Sequence, residues 1–346
     1  MDAGGAGSRS AGSVRAKTEN RMRIDIGGLT QDTRTMSHDA ILRHVEALEA
    51  LGYRGVWFNE FHFQPDIPHP STLLLASAVL ARTERIRFGT SIVVLPLYHP
   101  FLLAEMIAQL CHQSGHRLDL GVGRGTNPAT LRALGIDPDA TGEAFALSLR
   151  LMRKVWKESV EMPGGSIWPQ GSGAVGPLLA GDEPQLYVAG RSEETCLLAA
   201  AEGLPLMLSS NFPPQEVLDT YRENLADPSA IARTSHSRFV CIAPTQSQAM
   251  EDVDALMAAL HEEALDFARK RGRPTEEMAG ETHESFLRNR AIAGTPEACI
   301  AQIQALEAEL GFGELRVVFS DARQGEIGAS PATVLFAREV LPAFEG

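Results

Sequence analysis

The 346-residue sequence predicts an α/β chain folded as a (β/α)8 TIM barrel with loop insertions. Three observations lead there. Short apolar runs alternate with longer segments of helical period from Met22 onward, eight such runs can be counted, and most are followed by a helix of their own. A doubly wound open sheet is the structural rival, and the count of eight decides for the barrel. Hydrophobic residues make up 44% and charged residues 22%, enough apolar material for a sizeable core.

The elements follow in order. RIDIGGL (23–29) reads as the first strand, and Ser37 stands where an N-cap belongs before an amphipathic helix that stops at Gly52. RGVWF (54–58) is the second strand, followed by the helix STLLLASAVLA (71–81). RIRFGTSIVVL (85–95) is the third, with a helix from Pro100 to about His112. RLDLGVG (117–123) is the fourth, with helices near 127–134 and 142–158. QLYVAG (185–190), PLMLS (205–209), SRFVCIA (237–243) and ELRVVF (314–319) complete the eight, with helices over 192–203, 214–226, from 244 to about 271, and 331–343. A further helix covers 296–310. Two irregular stretches, 163–184 and 272–293, are long enough to form loops over an active site. Residues 1–21 are rich in Gly, Ala and Ser without an apolar core, so a disordered extension is expected before a single barrel domain over 22–346.

A net charge of −13 argues against binding nucleic acid or an anionic membrane surface. No apolar stretch approaches the ~18 residues of a membrane span. Cys111, Cys196, Cys241 and Cys299 are scattered, with no C-x-x-C pair, which fits buried, reduced thiols and a cytoplasmic setting.

Barrel chemistry gathers where strands end. The second strand ends in WFNEFHF, which places Glu60 and His62 on one pleat face and Phe61 on the other. For Glu60 and His62, pairing with neighbouring backbone and catalysis weigh equally. Trp57, Phe58, Phe61 and Phe63 read first as packing or pocket wall and second as a stacking surface. The third strand leads to His99. The fourth ends in GVGRGTNP, where glycines admit a ligand to the backbone and Arg124 supplies a planar cation. G-x-G-x-G-T breaks the dinucleotide fingerprint at its last position. The fifth strand ends in AGRSEET, where Ser192 and Thr195 open a helix. That is an N-cap by itself; taken with Arg124 it becomes a site for a phosphate monoester. Metal is not expected, because Glu60, His62, His69 and His99 lack ligand spacing, and no G-x-S-x-G elbow is present.

Six segments, in order, resemble the bacterial luciferase-like flavin-dependent monooxygenases, the luciferase alpha subunit above all. They are GYRGVWFNEFHF (52–63), FGTSIVVLPLYHP (88–100), SGHRLDLGVGRG (114–125), QLYVAGRSEETCLLAAAEGLPLMLS (185–209), AGTPEACIAQIQ (293–304) and REVLPAF (338–344). The resemblance implies reduced FMN as cofactor, its phosphate held by Arg124, Ser192 and Thr195, with Arg191 adding positive charge where the family has a glutamate. It implies a non-proline cis peptide between Ser91 and Ile92 beneath the flavin ring. It also implies a C4a-hydroperoxyflavin formed with O2, an NAD(P)H:flavin reductase as the source of reduced FMN, a small-molecule substrate and a homodimer joined through the helices at 71–81 and 100–112. The family's first catalytic histidine falls on Phe61, so acid/base work passes to His62, His99 or the substrate, with Glu60 beside them. An F420-dependent oxidoreductase and a non-catalytic flavin-binding subunit are the alternatives the resemblance leaves open. Residues 272–293 occupy the family's mobile-loop region and are expected to form a lid.

Overall fold

The computed structural model describes residues 22–125, 127–158, 160–162, 171–173, 176–179, 181–210, 214–270, 275, 280–319 and 330–344. The expected extension at 1–21 lies outside them. In chain order the strands are β1 (Arg23–Ile26), β2 (Gly55–Phe58), β3 (Arg87–Val94), β4 (Leu118–Gly123), β5 (Val160–Met162), β6 (Gly171–Gly173), β7 (Gln185–Ala189), β8 (Leu206–Leu208), β9 (Ser235–Ile242), β10 (Ala291–Gly294) and β11 (Glu314–Phe319). Eight of them close a ring of parallel strands, β1-β2-β3-β4-β7-β8-β9-β11 and back to β1. This is the predicted (β/α)8 barrel. The helices of its outer layer start cleanly because the loops deliver a capping hydroxyl. Ser37, Ser71, Ser192, Thr295 and Ser330 each accept a hydrogen bond from the backbone N–H three residues on.

The strands pack two different surfaces. Outward residues such as Val56, Phe58, Phe88, Leu120 and Val188 join helix residues such as Val79, Ile107 and Ala199 in one buried apolar cluster. The inside of the barrel is layered by chemistry. At the strand N-termini, cross-barrel ion pairs fill the space: Arg23 Nη2 lies 2.6 Å from Asp25 and 2.6 Å from Asp119, and Arg87 Nη2 reaches Asp119 at 2.6 Å. Burial opposes the charge on Asp119, but Arg23 and Arg87 outweigh it and hold the carboxyl below its ordinary range. Above them Trp57, Tyr187 and Met207 form a plug, with Trp57 Nε1 donating to Asp25 at 2.9 Å and Tyr187 Oη to Glu314 at 2.6 Å. Gly89 makes room for that plug, since a Cβ there would come within 2.2 Å of the indole ring.

Several expectations need correction. The stretch 272–293 is not all loop, because it contains a helix, His283–Asn289, and the start of β10. β8 covers only the first part of one edge of β9, and Ala291–Gly294 pairs with Phe239–Ile242 beyond it. Four small and apolar residues gave no alternation to announce a strand. Residues 271–274 and 276–279, the rest of the expected lid, lie outside the described residues. In the other stretch, β6 pairs antiparallel with β5. β2 ends at Phe58, so the pleat does not carry on to sort Glu60 and His62 from Phe61. Helix Thr72–Arg82 buries Leu73, Leu75, Ala76, Val79 and Leu80 within the chain and leaves Leu74 76% exposed. The four cysteines are free and buried. Among the described residues, no helix is long and apolar enough to cross a membrane.

Candidate active site

A cavity of about 750 Å³ is lined from the C-terminal ends of β2, β3, β4, β7 and β8 and the loops after them. This is the end of the barrel where loops from many strands converge. At one side Arg124 and Arg191 line it together with Ser192 and Thr195. Ser192 caps helix Glu193–Ala201, and its Oγ lies 2.9 Å from Thr195 Oγ1. Gly190 lets the strand end close against that helix, since a Cβ would meet Thr195 Cγ2 at 2.4 Å. Two cations, two hydroxyls and a helix N-terminus therefore face one space, a combination suited to an anion. Glu194 opposes it: its carboxylate lies 3.8 Å from Arg124 Nη1, on a partly exposed pair.

The floor is formed by Ser91, Ile92, Ala189, Met207 and Leu208. The Ser91–Ile92 peptide is cis, as expected. On the side of the loop after β2 stand Glu60, Phe61 and His62. Thr30 fixes where that loop leaves the barrel: its hydroxyl accepts from Asn59 N–H at 2.6 Å and donates to Asn59 O at 3.1 Å. Glu60 is buried and saturated with donors. Tyr98 Oη donates to its Oε1 at 2.7 Å, Val94 N–H donates to Oε2 at 3.3 Å, and His62 Nε2 bonds Oε1 as well. That last bond raises the His62 pKa above 6.5, against burial, which lowers it. With Nε2–H given to the carboxylate, His62 Nδ1 is the ring nitrogen left to take up or release a proton.

The structure thus brings Glu60, His62, Ser91, Ile92, Arg124, Arg191, Ser192 and Thr195 to one cavity. His99 is not on its wall. It precedes helix Pro100–Ser114 without a side-chain capping bond, its ring lies edge-on to Phe101 at 5.8 Å, and its Nδ1 is buried with no hydrogen-bond partner among the described residues. His69 packs edge-on to Phe58 at 5.7 Å, and burial, aided by His38, lowers its pKa to about 4. Among the described residues, no three of His, Cys, Asp and Glu gather to hold a metal ion. Sequence reading missed Tyr98, although it stands beside His99 in the quoted LPLYHP. Which of the two turns to Glu60 depends on the 3-10 turn Leu95–Leu97, and strand alternation does not predict that turn.

Fold and site together define a (β/α)8 barrel with a polar-sided cavity over its strand ends, suited on one side to an anion. The family model of the luciferase-like monooxygenases matches residues 18–313, and the chain belongs to that family of oxidoreductases. It is 29% identical over 326 residues to 4-hydroxyprotoasukamycin monooxygenase of Streptomyces nodosus subsp. asukaensis, covering 88% of this chain and 86% of that protein. Among solved structures it is similar to the oxygenating constituent of 3,6-diketocamphane monooxygenase of Pseudomonas putida, a type II Baeyer–Villiger enzyme in complex with FMN. The TM-score is 0.72 at 21% identity, over 94% of this chain and all (100%) of that one. An F420-dependent secondary alcohol dehydrogenase, in complex with an F420–acetone adduct, superposes with a TM-score of 0.70 at 18% identity, over 94% and 100% of the two chains. At these identities the two structures speak for the fold alone.

Proposed function

We propose that this chain is the oxygenating component of a two-component monooxygenase, taking reduced FMN from a separate NAD(P)H:flavin reductase and inserting one atom of O2 into a small organic substrate. The observation that carries the reading is the convergence of Arg124, Arg191, Ser192 and Thr195 on the same cavity as Ser91–Ile92 and the Glu60–His62 pair. The first set fits a phosphate monoester. The floor of Ile92, Ala189 and Met207, backed by Trp57 and Tyr187, is apolar enough to carry an aromatic ring system. Bound reduced flavin supplies the activation of O2. The protein's own residues anchor the phosphate, exclude water, and hold a proton at His62 Nδ1 for an oxygen atom in the cavity.

The test is titration with FMN, riboflavin and F420, followed by turnover with a flavin reductase under ¹⁸O2. Micromolar FMN binding and one ¹⁸O atom in the product support the reading. Tight F420 binding with hydride transfer and no O2 uptake would replace it, and flavin binding without turnover on any substrate would leave a flavin-binding subunit.

Two smaller predictions arise here. Glu194→Gln should tighten FMN binding about two- to fivefold in a fluorescence titration, because it frees Arg124 from a partly exposed ion pair of ~0.2–1 kcal/mol. An unchanged or weaker affinity would place the phosphate elsewhere. The second concerns assembly. Leu74, Leu102 and Met106 are 76%, 59% and 40% exposed on two helices tied together by Gln113 Nε2 donating to Ser77 Oγ at 2.9 Å. A homodimer through this face accounts for them. Leu102→Glu should halve the mass measured by light scattering, and a wild-type protein already monomeric would overturn the dimer.

A further inference from the structure

Beneath the cavity floor lies a charge that neither the phosphate site nor the Glu60–His62 pair uses. Arg316, on β11, is 5% exposed and crosses the barrel interior. Its Nε donates to Ser235 Oγ at 2.9 Å on β9, its Nη2 to Leu208 O at 2.8 Å at the end of β8, and its Nη1 to Ser91 Oγ at 3.0 Å on β3. Its guanidinium carbon lies 5.5 Å from the centre of the Trp57 ring. The indole in turn donates to Asp25, so one aromatic ring has the guanidinium over its face and a carboxylate on its N–H. The other interior arginines, Arg23 and Arg87, have carboxylates at 2.6 Å. Among the described residues Arg316 has no carboxylate within ion-pair distance; burial lowers its pKa to about 10, although Glu314 and Asp25 attract it from farther off.

A buried cation without a direct counter-ion is expensive unless something anionic completes its surroundings. The interior carboxylates Asp25, Asp119 and Glu314 lie with Arg23 and Arg87 at the strand N-termini, and Arg316 lies apart from those ion pairs, bonded to Ser91 and Leu208 of the cavity floor. The Arg316–Ser91 bond also has a direction. Arginine can only donate, so Ser91 Oγ must accept, and the serine's own hydrogen is left for another acceptor.

We infer that Arg316 is a positioning residue that sets the electrostatics of the cofactor ring, locking Ser91 as a hydrogen-bond donor to the cavity and favouring an anionic ring over a neutral one. The inference rests on the FMN reading. Reduced flavin readily gives up a ring proton to become an anion whose charge spreads over N1 and the neighbouring carbonyl, whereas the oxidised ring is neutral. A fixed positive charge under the floor therefore binds the reduced form more tightly, and by linkage makes the bound flavin easier to reduce. That is the form an oxygenating component must capture from solution.

The experiment measures dissociation constants for oxidised and for reduced FMN, anaerobically, and the midpoint potential of the bound flavin. It compares wild type, Arg316→Met, Arg316→Lys and Ser91→Ala. In Arg316→Met the affinity for reduced FMN should fall at least tenfold more than that for oxidised FMN. That tenfold difference equals a potential lowered by about 30 mV for a two-electron couple. Arg316→Lys keeps the charge and should hold most of the preference; Ser91→Ala keeps the charge but loses the donor, and should surrender roughly a third of the shift in potential. Circular dichroism and thermal melting identify a variant that has not folded, in which case Ser91→Ala and Arg316→Lys carry the decision. Equal weakening of both redox forms, with an unmoved potential, overturns the inference while leaving the FMN reading intact. Failure of the wild type to bind either form sinks both.

Discussion

Replacing Arg124 by alanine is expected to weaken FMN binding by roughly 10- to 100-fold while leaving riboflavin binding within about a factor of two. A charge-assisted hydrogen bond is worth about 1.5–3 kcal/mol, and each 1.4 kcal/mol is a factor of ten in affinity. Arg124 lines the cavity on the same side as the N-terminus of helix Glu193–Ala201, so in the proposed placement of FMN it meets the phosphate and not the ring. Arg124→Lys should recover only part of the loss, since an ammonium cannot present two parallel donors to a phosphate. The wild-type affinity should fall with added salt, and the variant's less steeply, because the removed charge is part of what salt screens. The decisive comparison is FMN against riboflavin. If Arg124→Ala weakens both equally, the residue supports the loop rather than the phosphate, and the placement of the cofactor is wrong.

How far the sequence led depends on the range of the interaction involved. Eight strands and their helices were legible because caps, glycine stops and apolar period act within a few residues, and ELRVVF and the helix 296–310 coincide with Glu314–Phe319 and Pro296–Leu310. That Arg124 and Ser192 meet at one cavity was legible for the same reason: they stand at the tips of strands that are neighbours in the ring. The interior was not. Asp25, Asp119, Glu314, Arg23 and Arg87 stand in strands that are otherwise largely apolar. Only closure of the barrel decides which side of each strand faces the axis, and hence that Arg23 meets Asp119 across 96 positions of sequence. Arg316 is the sharpest case. Its partners lie on three other strands, 81, 108 and 225 positions away. β10 escaped for the opposite reason, being a short strand with no pattern of its own whose place is set by the edge that β8 leaves open.

The same closure explains why two polar ends can coexist in one barrel. At the strand N-termini Arg23 and Arg87 each have a carboxylate, and Tyr187 bonds Glu314, whose own pKa burial raises to about 7. This end is internally satisfied and serves stability. At the C-terminal end polar groups line the cavity: Arg124, Arg191 and Ser192 on one side, and His62 on the other. Polar groups gathered around open space are what a site needs and what a core avoids.

The largest effect on turnover is expected at His62. His62→Ala should reduce substrate oxygenation by about 100- to 10,000-fold, the usual contribution of a positioned acid or base, with FMN affinity changed little. The product formed per O2 consumed, under saturating reduced FMN, is the measure. The pH dependence supplies the sharper check. The hydrogen bond to Glu60 raises the His62 pKa above the ordinary 6.5, burial opposes it, and the charge of Glu60 adds to the rise. The fold therefore favours the protonated ring. The stability that this pair contributes is complete below the unfolded value of about 6.5 and disappears as pH climbs through the folded one. Activity that needs a proton on Nδ1 follows the same course, falling on an alkaline limb above pH 6.5. Glu60→Gln keeps the shape but removes the charge and the strong acceptor, so the limb should move to lower pH and the maximum should fall. Tyr98→Phe removes the other donor to Glu60 Oε1, leaves more of that oxygen for His62, and should move the limb the other way. Opposite displacements from two residues, neither required to touch substrate, are what an oriented acid predicts. A purely structural Glu60 would lower stability and leave the limb where it stood in both variants, and that result would remove His62 from the chemistry.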